Sequence, residues 1–145
     1  MNWGILFFVF IAGTFTSLQA GVNGGLGKRV GTIEAAFISF SVGTIFLLLL
    51  LLFQRKGDIT QVFNVPKWQL TGGLLGASYI LIMVVAVPRI GIAASLVTLI
   101  AGQLVCSIII DHFALMGGAQ IPVDWKRLLG LALVGVAVYL FYDRS

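Results

Sequence analysis

Five apolar runs, each close to the length a helix needs to cross a bilayer, take up most of this chain. A bilayer core of about 30 Å requires roughly 20 residues of α-helix, and the runs lie at about 3–20, 34–53, 69–87, 91–112 and 126–142. Backbone polar groups in lipid find no water, so such runs must satisfy their hydrogen bonds internally, as helices do. Of 145 residues, 59% are hydrophobic and 10% charged, too few charges to cover a water-soluble surface. The expected fold is all-α: an integral membrane protein whose five transmembrane helices form a single domain over residues 1–145. The second run ends in six leucines, Leu47 to Leu52, a surface suited to lipid.

The links between runs are short. Val87-Pro88-Arg89-Ile90-Gly91 leaves room only for a tight turn, with proline ending the third helix before it and glycine permitting the reversal. The other links are read as the glycine-rich Gly21 to Gly31, the polar Gln54 to Trp68, and Phe113 to Trp125 with its Gly117-Gly118 pair. Tryptophan favours the membrane interface. Trp3, Trp68 and Trp125 stand where the first, third and fifth runs begin, which is one side of the membrane for an alternating path, and Tyr142 marks the other. A cleaved signal peptide is the rival reading of the first run. It is not favoured, because Met1-Asn2-Trp3 lacks a basic start and Leu18-Gln19-Ala20 is a poor cleavage site.

Polar side chains at bilayer depth are costly and so face protein or water rather than lipid. Ala12, Thr16, Gln19 and Asn23 follow helical spacing along one face of the first run. Gln103, Ser107 and Asp111 do so on the fourth, beside a second stripe of Ser95, Thr98, Gly102 and Cys106. Gly72, Gly76, Tyr79 and Met83 share a side of the third. Small and hydroxyl residues in such stripes commonly pack helices together. Gln19, Asn23, Tyr79, Thr98 and Gln103 are the candidate substrate contacts; for the larger polar groups among them, structural glue is the alternative reading.

Three ionisable residues are candidates for an ion or proton site. Glu34 follows Thr32 at the start of the second run, where a carboxylate also suits the helix dipole. Asp111 and His112 end the fourth run, and there the aspartate is expected to seek Lys126, Arg127 or water.

Other chemistries are excluded. Gly27-Lys28 lacks the first glycine and the Ser/Thr of a phosphate-binding loop, and Gly25-Leu26-Gly27 lacks the third glycine of a dinucleotide loop. No metal constellation, nucleophile or cofactor motif stands out, Cys106 is alone, and no catalytic residue is assigned. The net charge of +4 comes from basic residues in ones and twos, with no stripe for nucleic acid, so anionic headgroups of the lipid bilayer are their expected partners.

The segments Leu18-Gln19-Ala20-Gly21-Val22-Asn23, Gly27-Lys28-Arg29-Val30-Gly31, Pro88-Arg89-Ile90-Gly91, Ala101-Gly102-Gln103 and Asp111-His112-Phe113 occur in order along essentially the whole chain. Together they resemble the YdcZ-type branch of the drug/metabolite transporter superfamily. The resemblance implies a bacterial inner-membrane location and a half-transporter. Larger members have ten helices in two inverted five-helix repeats, so two copies of this chain would assemble, four helices of each enclosing a cavity and the fifth bracing it. Four-helix multidrug relatives carry a glutamate on the first helix; the first run here has no acidic residue, and a neutral or zwitterionic metabolite fits better.

Transport of a small solute by an antiparallel homodimer is therefore the leading expectation, with a non-transporting accessory subunit as the alternative. An enzyme is not expected. Orientation follows the lysine and arginine bias of short loops. The N-terminal side holds Arg55, Lys56, Lys67, Lys126 and Arg127 and the other side Lys28, Arg29, Arg89 and Arg144, a near-tie that suits insertion in both orientations. A homologous sister chain of opposite bias is the alternative partner.

Overall fold

The computed structural model describes residues 2–53 and 57–143. Five long helices account for most of them: α1 (Trp3–Val30), α2 (Thr32–Phe53), α3 (Gly72–Ile90), α4 (Ile92–His112) and α5 (Trp125–Tyr142). Each, α3 together with the turn that leads into it, is long and apolar enough to cross a membrane, and no strand occurs among the described residues. Short 3-10 turns at Ile59–Phe63 and Lys67–Thr71 precede α3, and a third at Leu115–Gly117 follows α4. The chain forms two compact units, Met1–Pro88 and Arg89–Ser145. Of the basic residues counted for orientation, Arg55, Lys56 and Arg144 lie outside the described residues.

In the first unit, the Gly21–Gly31 stretch corrects the sequence reading. It is helical: α1 continues through it to Val30, and only Gly31, at φ 105°, separates α1 from α2. Glycine is a poor helix former when its backbone faces water, but here close packing replaces water. A Cβ on Gly24 would lie 3.1 Å from Val87 Cγ1, and one on Gly27 would collide with Val84 Cγ1. The glycines let α3 approach the α1 backbone, as small residues do in membrane bundles. At 28 residues, α1 is about 42 Å long, more than a bilayer core needs, which tilting accommodates.

The small core sits at this approach. Ala35 and Ala36 of α2 pack on Ile80 and Val84 of α3, with Leu26, Tyr79 and Leu81 against the cluster. Gly76 faces the Phe40 ring, 3.5 Å from a Cβ position, and Met83 is buried. Of the stripe expected on the third helix, Gly76, Tyr79 and Met83 therefore face protein, while Gly72 is exposed. By contrast, Phe7, Phe8, Phe10, Phe15 and the leucines of α2 are exposed, the surface a lipid solvent would cover.

Pro88 gives a second correction. It does not end α3, which runs on to Ile90. Proline removes one backbone donor, and this close to the helix end only a short stretch remains to be held. The helix break falls instead on Gly91, at φ 81°, whose carbonyl accepts hydrogen bonds from the Ser95 backbone N–H and hydroxyl.

In the second unit, α4 and α5 pack side by side. Asp124 caps α5, its carboxylate accepting from the Arg127 N–H at 2.9 Å. The Phe113–Asp124 link folds back on the end of α4, where the Asp111 carbonyl accepts from Ile121 N–H at 2.9 Å.

Candidate functional site: a polar groove between the first two helices

Gln19 and Asn23 are one helical turn apart on α1, and both line a groove against α2. Val22 and Leu26 complete the α1 wall, and Ile38, Ser39, Val42, Gly43 and Phe46 form the α2 wall of an open groove of about 470 Å³. An adjoining pocket of about 200 Å³ shares Gln19, Ser39 and Gly43 and adds Phe40, Thr44, Leu47 and Ile80. No ionisable side chain among the described residues lines either. Ser39 and Gly43 lie near the middle of α2, which places the groove at membrane depth.

Asn23 is the one buried carboxamide here, 5% exposed. Its Oδ1 accepts from the Ser39 hydroxyl at 2.6 Å, joining α1 to α2. Its amide nitrogen has no hydrogen-bond partner among the described residues, and since no fully buried side-chain nitrogen or oxygen there lacks one, that nitrogen keeps some exposure on a residue that lines the groove. The Gln19 carboxamide is exposed and makes no hydrogen bond to described residues. A Cβ added at Gly43 would meet nothing within 4 Å, so the floor opposite these amides is open space.

The α2 wall was missed in the sequence. Ser39, Gly43 and Phe46 repeat at helical spacing, i, i+4 and i+7, and that stripe of a hydroxyl, a small residue and an aromatic was the available signal. Tyr79 is partly buried against the α2–α3 core and is not among the groove's lining residues. The Glu34 carboxylate folds back over Gly31, filling the space where a Cβ would stand. It reaches the helix start as expected, but makes no capping hydrogen bond there.

In the second unit, Thr98 and Gln103 are exposed on α4. Asp111 accepts from Arg127 Nη1 at 3.0 Å, one of the three partners expected from the sequence, and the pair is about one-third exposed. Both line a groove between α4 and α5 with Leu104, Ser107, Ile108, Gly130, Leu131 and Val134. His112 is held by the link that follows: Nδ1 accepts from Val123 N–H at 3.3 Å, and its carbonyl accepts from Gln120 Nε2 at 3.1 Å. An Nδ1 that accepts leaves the ring proton on Nε2. No group of His, Cys, Asp and Glu that could hold a metal occurs among the described residues.

A family model described as "Putative inner membrane exporter, YdcZ" matches residues 4–140. Comparisons with curated proteins and with solved structures found no match.

Proposed function

Because the chain belongs to the YdcZ family, we propose that it moves a small solute out across the inner membrane as an antiparallel dimer working by alternating access. The observation that carries this reading is the groove at membrane depth, lined by the Gln19 carboxamide and by an Asn23 amide nitrogen, neither hydrogen-bonded to described residues. Donors without partners at that depth are expensive unless something visits them. The first helix supplies no carboxylate, so the reading includes no carboxylate exchange on α1 between solute and proton.

Dimerisation follows from the same logic. Five spans make half of an inverted-repeat transporter, in which two repeats rock about a midplane site. A second copy in the opposite orientation supplies the missing half. The basic residues within the described range favour neither orientation: Lys67, Lys126 and Arg127 stand at helix starts, Lys28, Arg29 and Arg89 at helix ends. The charge signal that orients membrane proteins is thus nearly balanced.

Two measurements test the reading. Cells producing the protein should enrich at least one solute in their medium, by untargeted mass spectrometry, while cells producing Asn23→Leu should not; identical media would refute export. C-terminal fusions to a reporter active only in the cytoplasm, and to one active only outside, should both give signal. Signal from one alone would refute the antiparallel homodimer, and export that then requires a co-expressed sister chain would point to a heterodimer.

A further inference from the structure

The atoms left free in the α1–α2 groove specify more than a solute of suitable size. Asn23 Oδ1 is occupied by the Ser39 hydroxyl, so what Asn23 presents to a ligand is its N–H donors. Gln19, one turn away, presents both a carbonyl and an amide nitrogen. Residues i and i+4 are displaced by about 6 Å along a helix, a span that one small molecule bridges. The groove therefore offers a donor at one end and a donor–acceptor pair at the other. A ligand carbonyl answers the first, and the N–H of the same amide or lactam edge answers the second.

Charge is discriminated against by what is missing from the walls. Neither pocket has an Asp, Glu, Lys, Arg or His among its lining residues. An ionised ligand would give up its hydration without a counter-charge, and desolvation of that kind is far costlier than for a neutral hydrogen-bonding group. The remaining surface is apolar, with the Phe46 ring in one pocket and the Phe40 ring in the other, and rings of this kind favour a flat, partly apolar body.

From these three features we propose that the groove binds uncharged, planar compounds bearing a carboxamide, lactam or similar carbonyl–N–H edge, with Asn23 donating to the carbonyl and Gln19 pairing with the rest. The assignment rests on the export reading above and narrows its substrate class.

The probes are three near-isosteric molecules: benzamide (neutral), benzoate (anionic) and benzamidinium (cationic). Their binding to the purified full-length protein in nanodiscs is measured by equilibrium dialysis near neutral pH. Benzamide should bind, and the two ions should bind about thirty-fold more weakly or not at all. Gly43→Leu fills open space and raises helix propensity, so it should keep the fold and abolish benzamide binding. Asn23→Leu should abolish binding too, with circular dichroism and gel filtration confirming that both variants are folded.

Either ion binding as tightly as benzamide overturns the proposal, as does failure of benzamide to bind or its indifference to Gly43→Leu. Those results leave export standing if the medium of producing cells still gains a solute that Asn23→Leu does not deliver. Conversely, benzamide bound in the groove with no solute exported would overturn the transport reading and keep the site.

Discussion

Replacing Gly27 by alanine puts a methyl where Val84 Cγ1 already sits. The clash is with that atom alone: Val84 Cβ would be 3.7 Å away and Ala35 Cβ 3.8 Å, both ordinary contacts. Relief therefore requires turning Val84 about χ1, and a β-branched side chain in a helix has one strongly preferred rotamer. Overpacking of this kind costs about 1–3 kcal/mol, against which alanine recovers up to about 1 kcal/mol of helix propensity. With the full propensity gain the expected net loss is about 0–2 kcal/mol, which is about 1–3 kcal/mol worse than the same change where no clash occurs. Gly25 provides the control, since a Cβ there meets nothing within 4 Å and Gly25→Ala should be neutral or slightly stabilising. Val84→Ala removes the obstructing methyl, so adding it to Gly27→Ala should cost less than the two single changes together. The unfolding free energies of the four variants, measured in bicelles, give the coupling directly. If Gly27→Ala is as harmless as Gly25→Ala, or if the double change is additive, the close approach of α3 to α1 is wrong.

Other predictions concern the polar contacts. Asp111→Asn and Arg127→Gln should each destabilise the α4–α5 pair by no more than about 1 kcal/mol, since the partners are partly exposed, and the double variant should lose no more than either single one; strict additivity would mean the contact does not form. Asp58, outside the membrane spans, is held below the ordinary carboxylate range by the Thr60 hydroxyl, then by the Gln61 side chain and the Thr60 N–H. A folded value below the unfolded one gives stability that is present above the unfolded value and lost as pH falls through the folded one. The Thr60 amide should therefore become less protected from hydrogen exchange on acidification, an effect Asp58→Asn removes; unchanged protection in the native protein would refute it.

The spans were legible because a lipid solvent imposes one rule, an unbroken apolar helix, and every run obeys it. What misled were residues whose meaning depends on their neighbours. Gly24 and Gly27 look like loop residues until Val87 and Val84 are known to lie against them, and Pro88 looks like a stop until Gly91 is seen to carry the positive φ. The α1 side of the groove was readable as helical spacing of Gln19 and Asn23. Its α2 side was not, since Ser39 and Gly43 resemble ordinary packing residues and acquire their role only from the hydrogen bond to Asn23 and the open space above the glycine.

Gly31 is the whole connection between α1 and α2, and that brevity limits how the transporter can work. Two helices joined by one residue, and pinned again by the Asn23–Ser39 bond, cannot slide past each other as packed helices do in shear motions. The groove between them is then a jaw of fixed gape. Under the alternating access proposed above, a solute held in it would meet one side of the membrane or the other without the jaw changing its grip.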